Sequence, residues 1–237
     1  MTTMLEVTGL RAGYRDTTVI RDLSLAVTTS EVAVLVGPNG HGKTTLLRAI
    51  SGLAKPAAGR VLLDGEEVQG WPPERVSLRG LVHVPQGDGL FPEMTVEENL
   101  LMGAFPAASW RGRRKELARV YDLFPRVRAM SGQRARTLSG GERRLTALGR
   151  ALVRPTKIML IDEPSLGLAP VAIDAVYAAI ADLKAAGTTI LLVEENFTHV
   201  GGIADTVHVL EMGAIVRTGS FEDLSQDESV VETYLGG

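Results

Sequence analysis

The segment Gly37-Pro38-Asn39-Gly40-His41-Gly42-Lys43-Thr44 constrains the fold of this chain more than any other. Glycines, a lysine and a hydroxyl at this spacing make a loop whose backbone N–H groups turn inward around phosphate oxygens. The apolar run Val32 to Val36 precedes the loop and the helix-forming run Thr45 to Ile50 follows it. That setting is the one the loop needs, because the unpaired N–H groups and the dipole of a helix N-terminus add to the attraction for an anion. In this reading Lys43 reaches the β- and γ-phosphates of a nucleoside triphosphate and Thr44 offers a ligand to magnesium.

A chain of 237 residues with 45% hydrophobic content has ample material for a buried interior. No apolar run approaches the length that spans a bilayer, and Met1 to Arg15 lacks the basic and apolar regions of a secretory signal. A cytoplasmic location is expected. The absence of cysteine removes disulfides, thiolate metal sites and cysteine nucleophiles. The net charge of -3 is unevenly spread: residues 1–105 carry 9 basic and 12 acidic side chains, residues 106–150 carry 12 and 3, and residues 151–237 carry 4 and 13. The basic middle segment reads as solvated helix faces or as a surface for anionic lipid or an acidic partner. Nucleic acid is not an expected partner, because only 5% of residues are aromatic and no stacking platform or recognition helix stands out.

Short apolar runs bounded by turn residues predict strands at Leu5 to Val7, Val32 to Val36, Val61 to Leu63, Lys157 to Ile161, Thr188 to Val193 and Val207 to Leu210. Between two of them, Ile173, Val176, Ile180 and Leu183 mark one face of a helix over Val171 to Ala186, with Gly187 as its stop. Strand, helix, strand implies a parallel unit, whereas the N-terminal part, with turns at Gly65 and Gly70, reads as antiparallel. Ala214 to Arg217 is expected to pair back on Val207 to Leu210 around Met212-Gly213. The fold class is therefore α/β: a P-loop NTPase core with a mixed sheet and a small helical subdomain. A single domain spans 1–237, with a catalytic core of 1–86 and 155–237 and a helical subdomain of 87–154, where Pro106 and Pro125 punctuate a helical pattern from Asn99 to Arg154. Ser220 to Tyr234 reads as a short acidic helix.

Two further motifs carry phosphate chemistry. The run Ile158-Met159-Leu160-Ile161-Asp162-Glu163 is a buried strand ending in two carboxylates. Asp162 is placed to hold a hydrated magnesium opposite Thr44, and Glu163 to orient and polarise the attacking water as general base. The segment Leu138-Ser139-Gly140-Gly141-Glu142 opens an amphipathic helix carrying Leu145, Leu148 and Leu152, and its exposed N–H donors make a second anion site.

With these motifs the chain closely resembles the ATP-binding cassette (ABC) family over nearly its full length, Leu138 to Glu142 being similar to that family's signature motif. The resemblance implies two cassettes packed head to tail, identical or paralogous, so that Ser139, Gly140, Gly141 and Glu142 would serve a nucleotide held by the second cassette. It implies ATP and magnesium as ligands, membrane-spanning permease subunits as partners, a periplasmic solute-binding protein as an indirect partner, and a peripheral place on the cytoplasmic face of the inner membrane. Tyr14 resembles the aromatic that stacks on adenine, and Thr45 extends the phosphate loop. Gln86, after Val84-Pro85, resembles the glutamine that senses magnesium and the attacking water. Ser165-Leu166-Gly167-Leu168 resembles the loop that carries information between the two sites.

The family usually has a histidine just beyond the strand Ile190 to Val193, donating to the γ-phosphate. This chain has Val193-Glu194-Glu195-Asn196, which puts Glu195 in that place. His199 is expected on an exposed helix and His41 is expected to face solvent. Ser165 to Pro170, Val193 to Asn196, and Gly89-Leu90-Phe91-Pro92 through Leu100 resemble the subgroup serving branched-chain amino acid importers, with importers of urea, amides or other amino acids as the alternative. Cassette ATPases acting on nucleic acid or ribosomes typically carry long coiled-coil insertions or two fused cassettes, and this chain has neither.

Overall fold

The computed structural model describes residues 2–15, 17–104 and 110–227. Its centre is the strand β3 (Val32–Val36), which runs parallel between β8 (Thr189–Glu194) and β9 (Thr206–Glu211). The sheet continues through β7 (Ile158–Asp162) to β6 (Leu81–Val84) and ends on its other side at β10 (Ala214–Gly219), giving the order β10-β9-β3-β8-β7-β6. Only β10 against β9 is antiparallel, joined by a hairpin in which Met212 and Gly213 both have positive φ, as expected from the sequence.

Every residue of β3, β7 and β8 is buried, which is what a parallel sheet covered on both faces requires. Alternation then sorts the side chains. Val34, Val36, Met159, Ile161, Ile190 and Leu192 face the helices α6 (Gly140–Leu152) and α7 (Pro170–Ala185), whereas Ala33, Leu35, Ile158, Leu160, Leu191 and Val193 face the helix α1 (Lys43–Ile50). The far side of α1 is covered by a second sheet, antiparallel and ordered β2-β1-β4-β5, from β1 (Thr3–Tyr14), β2 (Thr17–Thr28), β4 (Ala58–Leu63) and β5 (Glu66–Glu67). Sandwiching α1 between two sheets fixes its N-terminus, and with it the loop at residues 37–42.

The helix α2 (Pro73–Leu78) precedes β6. The segment between β6 and β7 holds α3 (Val96–Met102), α4 (Arg113–Leu123), α5 (Pro125–Ala129) and α6. Pro125 opens α5 as its first helical residue, while Pro106 lies outside the described residues. The helix expected at Val171 to Ala186 is α7, with Val176, Ile180 and Leu183 fully buried and Ile173 partly so. Gly187, at φ 80°, closes it through N–H bonds to Lys184 and Leu183 carbonyls from Gly187 and Thr188. The C-terminal helix, α8, covers Phe221–Ser225, and residues 228–234 of the expected acidic helix lie outside the described residues.

Candidate active site

The phosphate loop leaves β3 at Gly37, whose N–H bonds the Glu194 carbonyl at 3.2 Å and so anchors the loop to the end of β8. A side chain at Gly37 would meet the Leu210 carbonyl at 2.5 Å, so only glycine permits this approach. Gly42, at φ 109°, turns the chain into α1. Lys43, 3% exposed, folds back under the loop: its Nζ donates to the carbonyls of Gly37 at 2.7 Å and Pro38 at 3.2 Å and pairs with Glu163 Oε1 at 3.0 Å.

The carboxylates at the tip of β7 meet this loop. Thr44 Oγ1 donates to Asp162 Oδ1 at 3.2 Å, and Gln86 Nε2, just past β6, donates to Glu163 Oε2 at 2.9 Å. Glu163 is held in the left-handed region at φ 44°, an unfavourable setting for a residue with a side chain and one that clusters at functional sites. Burial pushes the Asp162 carboxyl up to about 6, with the Thr44 bond and Lys43 acting in the opposite direction. Asp162 Oδ2 is buried with no hydrogen-bond partner among the described residues. An orphaned carboxylate oxygen beside the Thr44 hydroxyl is a donor set suited to one hard divalent cation completed by phosphate and water oxygens. Among the described residues no three His, Asp or Glu side chains converge as a cage.

Lys43, Thr44, Gln86 and Glu163 line one pocket together with Tyr14, Asn39, Gly40, Gly42 and Thr45, and Asp162 reaches it through the Thr44 hydroxyl. Tyr14 is 46% exposed, its ring lies 5.9 Å from the Arg48 guanidinium, and its hydroxyl is 3.5 Å from Thr45 Oγ1. Ser139, Gly140, Gly141 and Glu142 do not line that pocket. They lie at the start of α6, where Ser139, Gly141 and Glu142 border a separate groove against Ala169 and Ala172 at the start of α7. Ser139 and Glu142 form a reciprocal cap: the Glu142 carboxylate accepts from Ser139 N at 2.8 Å, and Ser139 Oγ accepts from Glu142 N at 3.4 Å. The bonds that the carboxylate accepts from Ser139 N and Ser139 Oγ lower the Glu142 carboxyl.

At the end of β8, Glu195 is exposed and accepts from Asn39 Nδ2 at 2.8 Å, which ties it to the phosphate loop. Asn196 turns away, its Oδ1 accepting from Thr198 N at 2.9 Å. Two histidines differ from expectation. His41 Nδ1 accepts from Met212 N at 3.3 Å, because the β9–β10 hairpin passes beside the loop. His199 is half-buried in a 3-10 turn with its ring 5.6 Å from that of Tyr177.

Sequence reasoning passed over two residues here. Glu194 is 1% exposed and accepts from Ser165 N at 3.1 Å, Ser165 Oγ at 3.0 Å, Tyr177 OH at 2.7 Å and Glu195 N at 3.2 Å. Arg144, on α6, is 5% exposed and reaches the loop around Gln86. Both sit beside motif residues whose types drew the reading to themselves.

A phosphate loop under a helix sandwiched by two sheets, facing a carboxylate-tipped parallel strand, defines a P-loop ATPase. The model of the family described as ABC transporter matches residues 20–166. High-affinity branched-chain amino acid transport ATP-binding protein BraG of Pseudomonas aeruginosa is 38% identical, over 99% of this chain and 100% of its own length. Probable branched-chain amino acid transport ATP-binding protein LivF of Archaeoglobus fulgidus is 35% identical, over 98% and 99%. The crystal structure of the ADP conformation of MJ1267, an ATP-binding cassette of an ABC transporter, superposes with a TM-score of 0.89 at 26% identity, covering all of both chains. This chain belongs to the ABC transporter family and is an ATPase subunit of it.

Proposed function

We propose that this chain powers an importer of branched-chain amino acids, binding Mg·ATP in the pocket around Lys43 and driving transport by ATP-dependent closure onto a second cassette. One observation carries the reading: Lys43 and Gln86 converge on the Glu163 carboxylate while Thr44 and Asp162 pair beside them. Lys43 exchanges its contacts with Gly37, Pro38 and Glu163 for the β- and γ-phosphates, the loop N–H groups hold their oxygens, and Tyr14 packs on the adenine. Thr44 and Asp162, with Gln86 beside them, would hold magnesium, which neutralises charge on the phosphate oxygens. Glu163 then accepts a proton from the attacking water, with Gln86 fixing the carboxylate's orientation. Glu195 gives the γ-phosphate no hydrogen-bond donor, so this site is the slower of an unequal pair.

The solute is inferred from likeness to BraG and LivF. Among the described residues no helix is long and apolar enough to cross a membrane. In this reading a separate permease subunit passes the solute and this chain sits peripherally on it. Residues 87–154 act as a helical unit carrying Ser139 toward the second cassette.

The test is ATP turnover by the chain purified with its membrane subunits and solute-binding protein. Leucine, isoleucine or valine should stimulate phosphate release, Lys43→Ala should weaken Mg·ATP binding at least about 100-fold because several charge-assisted phosphate contacts of about 1.5–3 kcal/mol depend on it, and Glu195→His should raise turnover. Stimulation by urea or amides alone would reassign the solute. Salt-sensitive nucleic-acid binding without membrane partners would remove the transport role.

A further inference from the structure

The loop that carries Gln86 is gripped by a single helix. Three arginines of α6 reach residues 85–89: Arg143 Nε pairs with Asp88 Oδ2 at 2.7 Å, Arg150 donates to the carbonyls of Gly89 at 2.8 Å and Asp88 at 3.1 Å, and Arg144 lies between them. Arg144 Nη1 donates to the carbonyls of Pro85, at 3.3 Å, and Gly87, the two residues that flank Gln86. Its Nη2 points to the Glu163 carbonyl at 3.4 Å. That carbonyl belongs to the residue whose backbone is held at φ 44°.

We propose that Arg144 is a positioning residue of the ATPase reaction: its buried guanidinium fixes the Gln86 peptide and the Glu163 backbone to the helix that begins with Ser139. The inference rests on the roles given above to Gln86 and Glu163. A planar fork suits the task, because the accepting carbonyls lie in different segments and one rigid group must satisfy them together. Arg144 is 5% exposed, so without those carbonyls its N–H donors would be buried unsatisfied. Displacement of α6 therefore displaces Gln86. Ser139, five residues earlier on the same helix, would thereby report docking of a second cassette to the water-orienting groups. Arg144 does not line the pocket itself; it acts through Gln86 and Glu163.

The test uses the full-length chain assembled with its membrane subunits, comparing Arg144→Met, Arg144→Lys, Gln86→Ala, Glu163→Gln and the Gln86→Ala/Arg144→Met double variant. Arg144→Met should lower kcat by about 30- to 100-fold with KM within about threefold, because small misplacements of positioned groups cost up to ~10²-fold. Arg144→Lys should rescue little, since an ammonium lacks the fork, and the double variant should lose less than the product of its singles. The fall in kcat at unchanged KM is what a merely structural arginine would not produce, and in the isolated Arg144→Met chain hydrogen exchange should rise at the amides of residues 86–89 with β7 unchanged. Unaltered kcat, or unaltered exchange in that loop, while Gln86→Ala and Glu163→Gln slow turnover by about 10²-fold or more, would overturn the role of Arg144 alone. Full turnover in Gln86→Ala and Glu163→Gln would instead overturn the catalytic assignment on which it rests.

Discussion

Glu163→Gln should bind Mg·ATP within about threefold of the native chain and hydrolyse it about 10²- to 10³-fold more slowly, the range expected when a general base is lost. The amide has the size of the carboxylate and can still accept from one of its two donors, Lys43 Nζ at 3.0 Å or Gln86 Nε2 at 2.9 Å. It cannot take a proton from water. Binding survives because Lys43 and the loop N–H groups carry the phosphate contacts, and Glu163 adds none. Loss of the negative charge also frees Lys43 from its ion pair with that carboxylate, which favours the nucleotide-bound state. The variant should therefore accumulate as an ATP-held closed dimer. Phosphate release and equilibrium nucleotide binding, measured on one preparation, separate the two effects. Normal hydrolysis would place the base elsewhere.

Glu194→Ala should destabilise the fold by about 2–4 kcal/mol, because it strands several buried donors that each cost about 1–3 kcal/mol unpaired, partly offset by removing a carboxylate from the interior. Ser165 N and Oγ and Tyr177 OH all end on that carboxylate, which joins the loop after β7 to the helix α7 and to the strand carrying Glu195. The same environment pushes the Tyr177 hydroxyl up, first through burial and then through Glu194, so the phenol stays a donor throughout the working pH range. Tyr177→Phe removes one donor and leaves the carboxylate with its others, so its cost should be nearer about 1 kcal/mol. Urea unfolding of the three proteins orders them. Equal stability of Glu194→Ala and the native chain would mean that the carboxylate contributes nothing net.

The same physics explains what could be read from the sequence. Strands buried on both faces are written as unbroken apolar runs, so Val32 to Val36 and Ile158 to Ile161 stood out, and the octapeptide between β3 and α1 announced its own setting. The strand β2 did not stand out because its alternation is interrupted: Asp22, at φ 58°, puts the chain out of step between Ile20 and Leu23, both of which point into the core. The strand β6 is four residues long and includes His83, too short and too polar for its period to register. Arg144 was hidden because an arginine in a basic segment reads as a solvated face, and only the fold brings the backbone carbonyls of Pro85, Gly87 and Glu163 around it. Glu194 was within reach. A carboxylate at the end of a buried strand needs compensating partners, at the end of β8 as much as at Asp162 and Glu163. Glu195 drew attention there through the family pattern, while the buried neighbour makes the internal bonds.

In the proposed function the pocket around Lys43 is half of a shared site, completed by the helix start at Ser139 of another cassette. Mg·ATP affinity of the isolated chain, compared between the native protein and Ser139→Glu, tests it most directly when paired with turnover of the assembled transporter. Because Ser139 borders the α6–α7 groove and not the pocket of its own chain, affinity should stay within about twofold while turnover falls by about 100-fold or more, a carboxylate there repelling the facing nucleotide by a few kcal/mol. A Ser139→Glu chain that alone loses its affinity for Mg·ATP, or an assembled transporter that keeps its full turnover, would contradict the shared site.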